Sequence, residues 1–305
     1  LLQEVIDKFS IPGTLSFSEN EHGLIYATVT NEACRGVVYF QGAHLAEWCP
    51  VGSEPILFLS EQSQFQPGNA IRGGVPIIFP WFGPRTANDK STRTDGPSHG
   101  FARTSTWQLA EAGKVEGKMS LVFVLEPDEN SRALGFDNFR LVYRIMFGKN
   151  LTLQLTVENK SGEPMHFEEA LHTYFSVGDV QQVNIYGLLN AEYFDKTDNL
   201  QRKKQTENVL TLTGECDRAY IDTKAPVYVQ DPLKKRRIVI SKENSKSTVV
   251  WNPWTELTAK LADMQPDGWK QMVCVETANV MTNGLTLAPG EKHVMSVTIA
   301  VSKTA

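Results

Sequence analysis

The chain has 305 residues, of which 41% are apolar and 21% charged, a mix that excludes an intrinsically disordered protein. Lys and Arg number 30 against 35 Asp and Glu, a formal net charge of −5, which excludes a surface built to bind nucleic acid along its whole length. The four cysteines Cys34, Cys49, Cys216 and Cys274 form no CxxC pair. They are expected as small apolar side chains in a reducing, cytoplasmic setting, not as a disulfide scaffold or zinc ribbon.

In chain order, the first element is a helix over residues 2–9, with apolar side chains at 2, 5, 6 and 9. This opening meets charge at once and lacks signal-peptide architecture. No later apolar run approaches the ~20 residues of a membrane span. A short helical turn is expected around 60–64. Residues 66–107 form a long segment dense in Gly, Pro and Trp that carries Arg72, His99 and Arg103. Long ordered loops on a rigid scaffold are where binding concentrates.

Beyond it, period-two alternation dominates. Residues 121–125, 141–147, 151–158, 225–229, 237–240 and 294–301 each read as half-buried strands. Clusters at 148–150 and 159–162 read as hairpin turns. Strands at roughly ten-residue spacing without long helices predict an all-β fold, a large antiparallel β-sandwich. No linker divides it, so one domain over residues 1–305 is expected.

Several polar residues interrupt this pattern. On one strand, His166, Glu168, Ala170 and His172 would share a face. Two His and a carboxylate can hold a metal, but neighbours on one face stand roughly 6.5–7 Å apart. His166 and His172 are thus overstretched as joint ligands, and a metal-free acid/base role for His172 is preferred. Glu276 lies in the apolar run Val273-Cys274-Val275. Such a carboxylate is either salt-bridged to Arg or Lys or poised as a general base. Asp217 makes an Asx turn, pairs with Arg218 at the surface, or accepts bonds from ligand hydroxyls such as those of a sugar.

Trp251-Asn252-Pro253-Trp254 reads as a rigid core turn, and Lys234-Lys235-Arg236-Arg237 as a solvated hairpin tip. His22, His44 and His293 read as structural. There is no P-loop, GxGxxG, GxSxG or HExxH, which removes support for nucleotide binding and the familiar hydrolases.

Five segments in order carry a resemblance: residues 70–83 around Ile71-Arg72-Gly73-Gly74; His99-Gly100-Phe101-Ala102-Arg103; Leu171-His172-Thr173-Tyr174-Phe175; Asp217-Arg218; and Val275-Glu276-Thr277. The chain resembles the aldose 1-epimerase superfamily, and within it the glucose-6-phosphate 1-epimerase (hexose-6-phosphate mutarotase) branch. The resemblance runs from about residue 41 to 291. It implies the galactose-mutarotase-like supersandwich and a catalytic pair of His172 and Glu276. It further implies substrate contacts from His99 and Asp217, and a phosphate clamp of Arg72 and Arg103.

The implied reaction exchanges the α and β anomers of a hexose 6-phosphate. Glu276 as carboxylate takes the proton of O1, and His172 as imidazolium gives one to O5. At ordinary pKa values these two states coexist near pH 7, and neither a metal nor another cofactor is called for. Besides this small molecule, no nucleic-acid or membrane partner is expected, and a monomer is. Two alternatives remain on this scaffold: a non-catalytic sugar-phosphate binding or sensing protein, and a metal-dependent isomerase using His166, Glu168 and His172. Arg85, Lys90 and Arg93 are further candidates for phosphate contact.

Overall fold

The structure, a computed structural model, describes residues 1–87 and 91–304. The expected alternation appears as burial: Phe139–Phe147 and Leu151–Asn159 bury every second residue along their nine positions. Each apolar side chain of such a strand points to one face, and each polar one to the other. These two strands pair antiparallel in a nine-stranded sheet. Lys292–Lys303 pairs with Leu151–Asn159 on one side and Arg236–Glu243 on the other.

A second large sheet, of eight strands, contains Cys216–Ile221, Ser247–Asn252 and Met272–Asn279 as adjacent antiparallel neighbours. Glu169–Leu171 and Tyr174–Ser176 both pair with Met272–Asn279. One main core joins Leu153 and Leu155 of the first sheet with Tyr220, Val250, Val273 and Val275 of the second. This is sheet-on-sheet packing. The strand Met272–Asn279 is buried at all eight positions. Its residues 273 and 275 enter the main core, whereas 274, 276 and 278 point to the opposite face, which the loops cover.

The N-terminal helix is observed as Leu2–Phe9. Residues 60–64 instead form a turn without a helix. The cluster at 148–150 is a hairpin turn, but that at 159–162 is not. It carries the chain from Leu151–Asn159 to Met165–Phe167, which belongs to a separate two-stranded sheet. There the Asn159 side chain ties the corner, donating to the carbonyls of Glu163 and Leu287.

The expected single face over 166–172 is also overturned. Met165–Phe167 and Glu169–Leu171 lie in different sheets. The chain changes sheet at Glu168, whose carboxylate accepts the N–H groups of Phe82 (2.8 Å) and Met281 (2.6 Å). Satisfying two loop N–H groups removes Glu168 from any regular pleat.

Candidate functional site

The face opposite the core is organised by strand register. Asp217 lies opposite Trp251, Trp251 opposite Cys274, and Cys274 opposite Tyr174. Directly paired residues project to one side, so these four make a row across four strands. Glu276 stands two residues beyond Cys274 on that same face. Above it the 66–107 loop brings Arg72, Phe82, Ser98, His99 and Arg103, and the turn at 196 brings Lys196. Together with His172 they line one cavity of about 290 Å³. That is at the small end of ligand pockets, roughly 300–1,000 Å³, and suits a compact polar ligand. All six residues singled out in the sequence, Arg72, His99, Arg103, His172, Asp217 and Glu276, meet here.

His172 and Glu276 are in direct contact, Nε2 to Oε1, at 3.4 Å. The imidazole stacks on Tyr174, with ring centres 4.9 Å apart and planes 16° apart, and meets the edges of Trp251 and His99. Among the described residues, neither Glu276 oxygen nor His172 Nδ1 has a hydrogen-bond partner. These atoms are free to bond a ligand in the cavity they face. Burial pushes the Glu276 carboxyl well above its usual range; the negative charge of Asp217 adds to this and Lys196 opposes it. Burial, with the charges of Arg103 and Arg72, pushes the His172 imidazole well below 6.5. Both shifts disfavour the imidazolium–carboxylate pair that ordinary pKa values predict near pH 7.

His99 adopts a left-handed backbone, φ 67°. Gly100 follows because a Cβ there would lie 2.0 Å from the Phe79 carbonyl oxygen. His99 Nδ1 accepts the Gly83 N–H at 3.2 Å. An accepting Nδ1 leaves the proton on Nε2 of the neutral ring. Burial and the nearby His172 keep that ring uncharged by pushing its pKa well below 6.5. His99 is therefore a neutral donor in the pocket.

Arg72 donates from Nε to Asp263 Oδ1 (3.1 Å) and from Nη1 to the Tyr174 hydroxyl (3.1 Å). Among the described residues these bonds use two of its five N–H groups, which leaves the others for a ligand. Arg103 donates to the Ser98 carbonyl at 2.9 Å. Asp217 pairs with Lys196 at 3.5 Å, not with Arg218, which lies over the Tyr193 ring. Glu276 meets His172 in place of the Arg or Lys partner of the salt-bridge reading.

Other expectations fall outside this cavity. His166 and Glu168 line a different groove, so the three proposed metal ligands do not converge. Arg85 and Arg93 are engaged with Asp95 and also lie elsewhere. Lys90 lies outside the described residues. The basic run is a hairpin tip, yet only partly solvated. Arg236 is buried and donates to the carbonyls of Pro55 and Ser176, and Lys234 pairs with Glu54. Trp254 packs on Trp269 as a core residue does, but Trp251 lines the cavity.

Lys196, Tyr174 and Asp263 are functional candidates the sequence did not single out, and Trp251 was read as core. Of the first three only Tyr174 had a signal, its place two residues after His172.

His44 lies beneath this loop, with Gly74 close against its ring because a Cβ there would stand 2.7 Å from Nε2. It is buried, and among the described residues its Nε2 has no hydrogen-bond partner. Burial lowers its pKa from 6.5 to about 3. Between those values the unfolded chain binds more protons, so stability is complete above about pH 6.5 and falls as pH drops toward 3. From pH 7 to 4 this single group should remove on the order of 3 kcal/mol. In urea unfolding, His44→Gln is expected to show a smaller loss over that interval than the unsubstituted protein. An identical loss in both would refute the assignment.

Residues 26–300 match the family model described as aldose 1-epimerase. A Salmonella typhimurium protein named "Putative glucose-6-phosphate 1-epimerase" is 35% identical over 237 residues, covering 78% of this chain and 77% of that one. A protein of the same name from Cenchrus ciliaris is 31% identical over 268 residues, covering 85% and 79%. The crystal structure of a Salmonella typhimurium protein described as a "putative mutarotase (YeaD)" superposes with a TM-score of 0.88 at 32% identity. It covers 97% of this chain and 96% of that one. The fold shared with it is the galactose-mutarotase-like sandwich.

Proposed function

The chain belongs to the aldose 1-epimerase family, and on that premise we propose that it interconverts the α and β anomers of glucose 6-phosphate and related hexose 6-phosphates. It does so from one sandwich domain spanning residues 1–305. The observation that carries this reading is the contact of His172 with Glu276 at 3.4 Å, with both Glu276 oxygens free of hydrogen bonds among the described residues, in a cavity that also holds Arg72 and Arg103. Glu276 takes the proton of O1. The C1–O5 bond breaks, its electron pair goes to O5, and O5 receives the His172 proton. The open aldehyde turns about C1–C2, and the steps run backward on its other face. Each group ends in the protonation state in which it began.

Burial favours the ring-opening half of this cycle. The imidazolium–carboxylate pair holds one proton, and so does the neutral pair left by ring opening. A dry cavity penalises the charged arrangement and favours the neutral one, so opening relieves the penalty. A phosphate dianion on Arg72 and Arg103 would offset the two charges that, after burial, most depress the His172 pKa. Substrate thus helps to charge its own acid. His99 offers its Nε2–H to a ring or hydroxyl oxygen, and Asp217 accepts hydroxyls.

The test is polarimetry or exchange NMR on freshly dissolved α-glucose 6-phosphate and α-glucose. The protein is expected to accelerate the first far more than the second. Binding without acceleration would make it a sugar-phosphate binding protein; equal acceleration of both would remove the phosphate from the reading.

A further inference from the structure

No motif announces Lys196, yet its ammonium enters the cavity. It opens the short turn Lys196–Asp198, directly after the strand Glu192–Asp195. Asp195 caps that turn by accepting the N–H and hydroxyl of Thr197, and it pairs with Lys203 at 2.9 Å. The backbone beneath Lys196 is therefore held. Its Nζ lies 3.5 Å from Asp217 Oδ1 and 4.1 Å from the centre of the Phe82 ring. An ion pair and a cation–π contact together restrain a side chain that is otherwise costly to order.

Asp217 and Glu276 occupy one sheet face, with a single strand between theirs. Two carboxylates in one closed space oppose each other's ionisation. No hydrogen-bond donor offsets the charge of Glu276, since its oxygens accept no hydrogen bond among the described residues. The groups around it come from every side. Cys274 shares its strand, Tyr174 and Asp217 come from strands of the same sheet, and His172 comes from the crossover between two of them. The long loop supplies His99, Arg72 and Arg103. Both histidines are held neutral by burial, and Arg72 is already bound to Asp263. Lys196 is the cation set against the second carboxylate.

We propose that Lys196 is a positioning residue of the acid/base site, whose charge, held against Asp217, lets Asp217 and Glu276 be ionised together in one cavity. This rests on the reading of Glu276 as the base. In keeping with it, Lys196 counters the upward push on the pKa of both Glu276 and Asp217.

The test is the pH dependence of kcat/KM for glucose 6-phosphate anomerisation, with the spontaneous rate subtracted, for Lys196→Met, Lys196→Arg and Lys196→Met with Asp217→Asn. With the resting pair neutral, the basic limb reports Glu276; Lys196→Met is expected to move that limb up by roughly one pH unit or more, and Lys196→Arg to keep it in place. The double variant should bring the limb back down, whatever its loss of affinity, because the second carboxylate has lost its charge. A Lys196→Met limb that stays put while activity falls equally at every pH overturns the proposal, as does a double variant whose limb stays high. An unsubstituted protein that does not accelerate anomerisation overturns the function itself and leaves the electrostatic claim to be judged by carboxyl-carbon NMR titration of Glu276. There a Glu276 pKa unchanged by Lys196→Met overturns it.

Discussion

Glu276→Gln is expected to lower the catalysed anomerisation rate by about 10²-fold or more while leaving the protein folded. A general base contributes typically 10²–10⁴-fold, and Gln keeps the shape of Glu without its basicity. Folding should not suffer, and the reason is local. Glu276 is 1% exposed, and among the described residues its oxygens lack hydrogen-bond partners. Gln replaces a carboxyl that burial already keeps from ionising and loses no hydrogen bond, so the melting temperature is expected to hold or rise. A stability gain with an activity loss is the usual signature of strain kept for function. His172→Ala is expected to cost a similar factor in rate. The two losses should not multiply, because an acid and a base that act in one step fail together. Near-normal anomerisation in both folded variants, read by polarimetry, would remove them from the chemistry.

Arg72→Ala is expected to lower kcat/KM for glucose 6-phosphate by roughly 10- to 150-fold, and for glucose by little. The range follows from charge-assisted hydrogen bonds of about 1.5–3 kcal/mol, at 1.36 kcal/mol per tenfold. Asp263 and the Tyr174 hydroxyl fix the guanidinium at 3.1 Å each, so its orientation is set before substrate arrives. Preorganised donors lose little entropy on binding. Arg72→Lys should fall between the two, since an ammonium keeps the charge but not the planar fork. Equal losses for phosphorylated and free sugar would show that Arg72 supports the pocket without reading the phosphate.

Half-burial is what made the sandwich readable. In Phe139–Phe147 and Leu151–Asn159 one face meets the core and the other water, so the alternation is written in residue type. Met272–Asn279 is buried on both faces, and its apolar run hid which side Glu276 takes. The break at Glu168 was likewise invisible. A strand interrupted by its own carboxylate capping two loop N–H groups still alternates on paper.

What the amino-acid sequence determined alone was the all-β class, the N-terminal helix, and the six polar residues that interrupt an apolar or Gly-rich context. Each of these depends on local pattern or on a short motif. Tertiary structure decided the rest. It separated His166 from His172, moved Asp217 from Arg218 to Lys196, and turned Trp251 from the core to the cavity. It brought in Lys196 and Asp263 from segments with no motif of their own, and it reversed the expected charge preference of His172 and Glu276. The physical reason is common to all five. Register between strands distant in sequence sets which side chains share a face, and burial sets which charges that face can hold.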